Sequence, residues 1–476
     1  MGCKGKGIWQ YGAVALWAMA CFAFFQFCYP YHFFYQEQNQ LFLITWEHAL
    51  SYLPKPGWAA RLMGDFLTQF YYYLVAGPLI LTLSLLTLGD VTRRFLQRFL
   101  QECNLHKHRD TFAFTIAIIV MTLFAVFSFR HDYRLSNIIS AIGIMGGLWI
   151  CSFFPTKWKY ATFKLFSFII IIPIIWLFGW PRMGKLALPN FYLEKQLAVD
   201  NEYYFGHYDR VIDLVEGEKS PTPEMKFFYN LVQAGRQELP NVLLKFIPNE
   251  LGTFYKIGPE TPMLTIKNMN ELYWALGDIT FTERAAMMGN VFSPDNRNVR
   301  MVKRLAEANM VSGDTAAMNK YLRLLGKTWA YKKLALSIPN NRKLMEKRAF
   351  TNRQDTLQVS DNLHMVMMEL LDSNPQNTIA LHYLLCSDLL LKDMETFKRD
   401  YDRYCLDKGN EPHFDLFQEA LCIYLAGTQA KPEEWSRYIH SQHVVNRFAQ
   451  YNEQRGSKQF RDTYWYYFDT AKAPQP

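Results

Sequence analysis

The sequence lacks any long apolar run after Trp180, although 50% of its 476 residues are hydrophobic. Runs of roughly 18–20 apolar residues, which can cross the hydrocarbon of a bilayer as helices, occur only before that residue. The chain therefore has two unlike parts. We predict an all-α protein in which residues 1–182 form a bundle of about five transmembrane helices and residues 183–476 form a soluble helical domain.

Cysteine is scarce in the second part, and no two cysteines of the chain have the CxxC spacing. The sequence therefore indicates neither a zinc finger nor a redox motif. Only Cys386, Cys405 and Cys422 follow residue 183. We expect three buried free thiols there, and a single disulfide among them is the alternative if this part of the chain is exported.

Sequence motifs for catalysis and for nucleic-acid binding are also missing. There is no Walker loop, no GxGxxG motif after a strand, no GxSxG elbow and no HExxH. The net charge of +8 does not come from a Lys/Arg-rich run with interleaved aromatic residues, which argues against nucleic acid as a partner. We predict no cofactor, and we expect the lipid bilayer and a protein as partners.

Five apolar segments are predicted to cross the membrane. They are Ile8–Cys28, Tyr71–Gly89, Thr111–Phe129, Leu135–Phe154 and Ala161–Trp180. The first segment stays apolar well past Ala18–Cys21, which resembles a cleavage site, so we interpret it as a retained anchor and not a signal peptide. Gly143 and Gly147 form a small-xxx-small pattern, which predicts close packing against a helix of the same chain or, alternatively, a dimer.

Basic residues orient these segments, because short cytoplasmic loops of membrane proteins are enriched in Lys and Arg. If the N-terminus is cytoplasmic, the predicted inside segments carry Lys4, Lys6, Arg93, Arg94, Arg98, Lys107, Arg109, Lys157 and Lys159. The predicted outside loops before Trp180 carry only Lys55, Arg61, Arg130 and Arg134. Five crossings then predict a multi-pass inner-membrane protein whose C-terminal domain is periplasmic.

The first outside loop, residues 29–70, is dense in aromatic residues, as is typical of a membrane interface. Its apolar residues between Leu41 and Leu53 can form one face of a short helix. The following Pro54–Gly57 would end that helix. Residues Trp58–Phe70 can form a second interfacial helix, so we expect the loop to lie on the outer surface of the membrane.

Two acidic residues of this loop, Glu37 and Asp65, are candidates for a general base or a metal ligand that faces a lipid-linked substrate. Their alternative role is structural, as helix caps or as ion-pair partners of Arg61 or Arg130. Three histidines, His32, His48 and His131, could bind a metal only if the fold brought them together. His440 and His443 have no third ligand near them in sequence, so we do not predict a metal site there.

Three stretches of the loop carry a resemblance to a known family: Tyr35–Phe42, Pro56-Gly57 and Gly64–Phe70. They resemble the opening of a family of uncharacterised multi-pass membrane proteins of the Bacteroides group. The resemblance implies an envelope location and a helical-repeat tail, and it supplies no activity and no catalytic residues. A more distant likeness to polytopic lipid-linked sugar transferases rests on the acidic residues of the loop, but this chain has about half the spans of such enzymes.

Apolar residues after Leu186 recur at helical spacing, with turn residues at intervals that cluster near about 35 residues. Gly206, Gly277, Gly313 and Gly427 mark four of these predicted turns. This period is typical of tetratricopeptide-like helix pairs, so we predict an α-solenoid whose concave groove binds a protein. A plain helical bundle is the alternative.

The sequence supports two functions from different classes. The first is an envelope protein that presents its helical-repeat domain for interaction or scaffolding outside the cytoplasm. The second is an enzyme or transport component that acts on a lipid-linked or glycan substrate at the outer leaflet through the first outside loop. A subunit of a larger membrane complex, whose other spans come from its partners, is a further possibility.

Overall fold

The computed structural model describes residues 3–102, 109–153, 188–249, 251, 260–351, 362–407 and 414–472. Within these ranges every regular element is a helix and there is no strand, so the prediction of an all-α fold is confirmed. The chain divides into two compact units. The first comprises Met1–Leu197, Arg297–Arg300 and Arg323–Leu336, and the second comprises Ala198–Asn296, Met301–Leu322 and Ser337–Pro476. Two short segments from far downstream therefore belong to the first unit.

The first part of the chain contains seven helices among its described residues, joined by short turns. They are α1 (Cys3–Ala23), α2 (Tyr31–Gln38), α3 (Trp46–Leu50), α4 (Trp58–Thr68), α5 (Ala76–Glu102), α6 (Arg109–Phe127) and α7 (Leu135–Cys151). A π-helical turn, Phe24–Cys28, continues α1, and a 3-10 turn, Gln69–Tyr72, follows α4. The predicted helix Trp58–Phe70 corresponds to α4, whereas α2 was not predicted.

Two described helices are long and apolar enough to cross a membrane: Trp9–Cys28, which is 20 residues long, and Arg109–Phe127, which is 19 residues long. They correspond to the first and third predicted spans. The expected number of five is not reached among the described residues. The fifth predicted span, Ala161–Trp180, lies outside them.

The second and fourth predicted spans differ from the helices that the chain forms. Helix α5 begins at Ala76 and not at Tyr71, because Gln69–Tyr72 is a 3-10 turn. Helix α5 contains three charged residues, Asp90, Arg93 and Arg94, which lower its hydropathy. It is long enough to span a membrane, but it is not apolar enough to count as a candidate span. Helix α7 is apolar but only 17 residues long.

Helix α5 is the central helix of the first part and packs against α1, α6 and α7. Leu81, Leu85 and Leu88 recur along it at helical spacing and are buried. This apolar stripe positions the neighbouring helices in the way expected of an amphipathic helix. Helix α4, from the predicted outside loop, packs on α7.

Glycines allow two of these close contacts. A Cβ atom at Gly64 of α4 would lie 2.7 Å from the backbone of Ser136 in α7, and one at Gly89 of α5 would meet the side chain of Met121. By contrast, no described atom lies within 4 Å of a Cβ built at Gly143 or Gly147. Close helix packing at the small-xxx-small pattern of Gly143 and Gly147 therefore stays a prediction.

The later part of the chain is a succession of short helices. They are α8 (Phe191–Tyr204), α9 (Tyr208–Glu216), α10 (Pro223–Gly235), α11 (Leu239–Val242), α12 (Met263–Leu276), α13 (Ile279–Phe292), α14 (Val299–Ser312), α15 (Thr315–Gly326), α16 (Lys332–Ser337), α17 (Arg342–Phe350), α18 (Leu363–Ser373), α19 (Thr378–Leu391), α20 (Met394–Tyr401), α21 (Asp415–Gly427), α22 (Pro432–Tyr438), α23 (Gln442–Glu453) and α24 (Tyr464–Thr470).

The turns between several of these helices share one construction. A residue with positive φ ends one helix, and an aspartate caps the next, as at Gly277-Asp278 and Lys392-Asp393. The aspartate side chain accepts a hydrogen bond from a backbone N–H of the first helical turn, which would otherwise lack a partner. Gly206 and Gly313 also lie between helices with positive φ. Gly427 ends α21, and the positive φ there falls two residues later, at Gln429.

Helix α19 lies at the centre of the core of the second unit. Every residue from Ala380 to Leu390 is buried. The helix packs against α10, α11 and α12 as well as its chain neighbours α18 and α20. Repeats of a solenoid contact only their neighbours, so the predicted tetratricopeptide-like solenoid is not confirmed. Contacts between distant helices are what the alternative, a helical bundle, requires.

The three cysteines of the second unit, Cys386, Cys405 and Cys422, are buried, and in the described part of the chain none of them forms a disulfide. Burial raises the pKa of the Cys422 thiol to about 12. Thiols of this kind are inert packing groups.

The close approach of α4 and α7 predicts that alanine substitutions at two glycines have different effects on stability. Gly64→Ala forces the backbone at Ser136 to move, so we expect it to lower stability by about 1–3 kcal/mol. Gly143→Ala, also within a helix, meets open space and is expected to be neutral or slightly stabilising. Thermal unfolding of both variants in detergent measures the difference. Equal melting temperatures would contradict the packing described.

Candidate functional site

The end of α2 forms a buried polar cluster with the start of α14. Gln38 accepts a hydrogen bond from Arg300 Nη1 at 2.9 Å, and Asn39 accepts one from Asn298 Nδ2 at 3.1 Å. Gln38, Asn298 and Arg300 are each no more than 1% exposed. We call the contact of Glu37–Gln40 with Asn298–Arg300 and Tyr331 the loop junction. All of it belongs to the first unit.

Backbone groups strengthen the loop junction. The N–H of Val299 donates to the carbonyl of Gln40 at 3.1 Å, and the N–H of Ile44 donates to the carbonyl of Lys327 at 2.7 Å. Both downstream segments of the first unit thus bind the predicted outside loop directly. Buried backbone groups need such partners, because an unpaired one costs about as much as a lost hydrogen bond.

Glu37, the first candidate catalytic residue, is a buried member of the loop junction. Its carboxylate accepts a hydrogen bond from the hydroxyl of Tyr331 at 3.1 Å. The recess beside it has room for about one water molecule, about 10 Å³. Its lining residues are Glu37, Gln40, Phe42, Gln69, Val299, Thr328, Ala330 and Tyr331. Ligand pockets usually exceed roughly 300 Å³, far more than this recess offers, so the geometry favours a structural role for Glu37.

Asp65, the second candidate, is half-buried and lies on α4. Its carboxylate accepts a hydrogen bond from the Tyr52 hydroxyl at 2.8 Å, and its carbonyl accepts one from Gln40 Nε2 at 3.2 Å. Arg130, an expected ion-pair partner, instead pairs with Asp132 at 2.8 Å. Asp65 is thereby tied to Gln40 and to the loop junction. A catalytic role for either acid stays a prediction.

A third acidic residue, which the sequence analysis did not single out, holds the other end of α2. Pro30 is the N-cap residue of α2, and its side chain has no atom that could accept a hydrogen bond from the helix. Glu194 of α8 takes this role, because its Oε1 accepts a hydrogen bond from the N–H of Tyr31 at 2.5 Å. Glu194 is buried, and this burial raises the pKa of its carboxyl to about 8 despite the hydrogen bond. The missing cap at Pro30 is the only sign of this contact in the sequence.

The three histidines of the predicted outside surface do not come together. His32 packs against Phe33 and Tyr29, His48 accepts a hydrogen bond from Arg297 at 3.0 Å, and His131 packs against Tyr35. Among the described residues they form no common group of ligand atoms. Burial lowers the pKa of His32 to about 3 and that of His48 to about 4, so both are neutral.

A cluster of cations on aromatic rings lies in the second unit. Arg304 and Lys347 lie over the ring of Trp274, at 4.4 and 4.7 Å from its centroid. Lys303 lies over Tyr204 at 4.2 Å. We call these five residues the Trp274 cluster. It gathers residues of α8, α12, α14 and α17, whose spacing in the sequence does not indicate such a cluster.

The charges of the Trp274 cluster are only partly balanced. Arg304 forms a salt bridge of 2.5 Å with Glu271, and Lys303 lies 3.6 Å from Glu307. Lys347 forms no salt bridge with any residue that the structure describes, and burial lowers its pKa to about 8. Glu271 and Glu307 also act on Lys347, but they are two carboxylates beside three cations, so the cluster is suited to bind a further acidic group.

Another charged group joins three consecutive helices of the second unit. His364 of α18 lies between Asp388 of α19, 3.3 Å from its Nδ1, and Asp400 of α20, 3.0 Å from its Nε2. The carboxylates of Asp388 and Asp400, close on either side of the ring, raise the pKa of His364 to about 9. The spacing of these residues in sequence gives no sign of the group, because only the packing of α18 and α20 on α19 brings them together.

Comparison with known proteins identifies one protein family. The model of a family described as "Family of unknown function (DUF6057)" matches residues 6–184 and, in a second match, residues 180–471. No curated protein and no solved structure matches the chain. The family description carries no activity, so the geometry alone must suggest a function.

The raised pKa of Glu194 predicts a pH dependence of stability. Between the ordinary pKa of 4.5 and the folded value of about 8, the folded protein retains a proton that the unfolded chain has released. Stability is therefore greatest below the ordinary pKa and falls as the pH rises towards 8. Glu194→Gln keeps a hydrogen-bond acceptor without the charge, so we expect a smaller fall in melting temperature between pH 5 and pH 8.

Glu194→Leu is the matched variant, since it removes the acceptor and leaves the first N–H groups of α2 uncapped. We expect it to melt lower than Glu194→Gln at every pH, by the equivalent of about 0.5–2 kcal/mol. If wild type and Glu194→Gln had the same pH profile, the assigned protonation of Glu194 would be wrong.

Proposed function

The chain belongs to this family of unknown function (DUF6057), which lends it no activity, and we propose that it is a multi-pass membrane protein that presents its helical second unit to a protein partner outside the cytoplasm. The partner contacts the Trp274 cluster through acidic side chains. The bilayer holds the first unit. The second unit recruits or scaffolds, and it catalyses no reaction of its own.

Exposed apolar side chains support insertion of the first unit into lipid. Trp9 and Leu16 of α1 and Ile119 of α6 are each more than half exposed. Leu83 of α5 and Ile150 of α7 are exposed as well. Soluble monomers rarely expose contiguous apolar patches of this kind, and lipid tails would cover them. By this argument α5 and α7 also lie in the bilayer, as the sequence predicts, although α5 is more polar and α7 is shorter than α1 and α6.

Exposed tryptophans support an interfacial position for the loop. Trp46 and Trp58 come from the loop, and Trp329 comes from the downstream segment that packs on it. Trp329 contacts Phe70, with 5.7 Å between the ring centroids. Tryptophan prefers the boundary between hydrocarbon and water, so the loop and this segment are expected at the same face of the membrane.

The loop junction constrains the number of crossings. Gln38 can contact Arg300 only if the chain crosses the bilayer an even number of times between them. Spans near α5, α6 and α7 give an odd number. The sequence-predicted span Ala161–Trp180 restores an even one, and the positive-inside rule then puts both Gln38 and Arg300 outside the cytoplasm. In a Gram-negative cell this compartment is the periplasm.

The Trp274 cluster is the observation that carries the interaction function. Lys347 keeps a positive charge on a half-buried indole, with no salt bridge to a described residue. Aromatic residues and arginine are the groups that most often dominate binding energy at protein interfaces. A partner that offers a carboxylate to this cluster would supply the missing charge.

Crosslinking in intact cells tests this function with two variants of one helix. Lys347→Glu places a negative charge on Trp274, whereas Lys343→Glu changes an exposed position of the same helix α17. We expect wild type and Lys343→Glu to be crosslinked to the same partner. The amount of partner crosslinked to Lys347→Glu should be at least about tenfold lower, as for a hot-spot residue. Thermal unfolding checks that both variants fold. Equal capture by Lys347→Glu and Lys343→Glu, both folded, would contradict the proposal.

A further inference from the structure

Three side chains from consecutive helices offer one ligand atom each to a common point. His364, Asp388 and Asp400 can place an imidazole nitrogen and two carboxylate oxygens within 4.8 Å of one another. No other group of this kind occurs among the described residues. The two aspartates are rigidly placed, because each is at most 2% exposed and lies on a packed helix. The imidazole is partly open to solvent, with 28% of its side chain exposed.

Two buried oxygen atoms of this group lack hydrogen-bond partners. Asp388 Oδ2 and Asp400 Oδ2 are inaccessible to solvent and accept no hydrogen bond from the described residues. Asp400 Oδ2 lies 3.0 Å from His364 Nε2, but the contact lacks the alignment of a hydrogen bond. A buried carboxylate oxygen without a donor is costly, and a bound cation would remove this cost.

We propose that His364, Asp388 and Asp400 bind a divalent transition-metal cation, with Zn²⁺ as the best match. Imidazole nitrogen and carboxylate oxygen are both common zinc ligands, at about 2.0–2.2 Å from the metal. Imidazole disfavours Ca²⁺ and Mg²⁺, which prefer oxygen ligands alone. Three protein ligands leave a fourth position, which would be occupied by water on the exposed side of His364.

Two features of the group must change when the metal binds. The aspartates contact different nitrogens of His364, so the ring turns to direct one nitrogen to the cation. Arg399 lies 2.9 Å from Asp400 Oδ1 and is largely exposed, so its guanidinium can move into solvent. Without a metal, the imidazole of His364 lies between the two carboxylates.

Metal binding is measured on the full-length protein in detergent after removal of metal with a chelator. We expect wild type to bind one Zn²⁺ per chain by calorimetry and to melt at a higher temperature with Zn²⁺ but not with Mg²⁺. Asp388→Asn and His364→Ala should each weaken zinc binding by more than about tenfold. The double variant His440→Ala/His443→Ala removes an exposed histidine pair elsewhere and should bind zinc as wild type does.

Co²⁺ supplies a second measurement that needs no variant, in case the substitutions prevent folding. Bound to wild type, Co²⁺ should give the visible absorption of a nitrogen- and oxygen-ligated site, and one equivalent of Zn²⁺ should abolish it. The proposal fails if wild type binds no Zn²⁺, if folded Asp388→Asn binds it equally well, or if only the His440→Ala/His443→Ala variant loses it. The group is then an ion-pair bridge between α18, α19 and α20.

Discussion

Burying a polar side chain is costly unless another group satisfies its hydrogen bonds, and the first unit depends on how this cost is met at the loop junction. Glu37, Gln38 and Asn39 follow one another at the end of α2, and all three are buried. Their partners include Arg300, Asn298 and Tyr331, more than 250 residues later. Neither the end of α2 nor its downstream partners could be buried without the other, so the loop and the downstream segments can only fold together.

This constraint explains why the loop, whose helices are short, has a defined structure. Helices of five to eleven residues are marginal in water by themselves. Helix α2 is held at its start by Glu194 and at its end by the loop junction, and α4 is held by its close approach to α7 at Gly64. Some aromatic side chains of the loop, such as Trp46 and Trp58, stay exposed. Exposed tryptophans of this kind suit the membrane boundary that we propose for the loop.

The sequence predicts what is local and fails where distant residues decide. Breaks at Pro54–Gly57 and glycine turns such as Gly277 can be predicted because one residue sets the local backbone. The Glu194 cap and the His364 group cannot, because they join residues whose separation carries no pattern. Helix α19 lies in the region whose turn spacing predicted a solenoid of repeats. Its burial on all sides marks it instead as a central helix, and only its contacts with α10–α12 reveal that.

Accessibility of single cysteines tests most directly whether the loop and the downstream segment share one side of the membrane. Ser51→Cys lies in the loop and Lys333→Cys in the segment, and both positions are exposed. Each is placed in a variant whose native cysteines of the first part, Cys3, Cys21, Cys28, Cys103 and Cys151, are replaced. With a membrane-impermeant maleimide added to intact spheroplasts, we expect both positions to be labelled to the same extent. Labelling of one position only after the membrane is permeabilised would contradict the loop junction and the proposed topology.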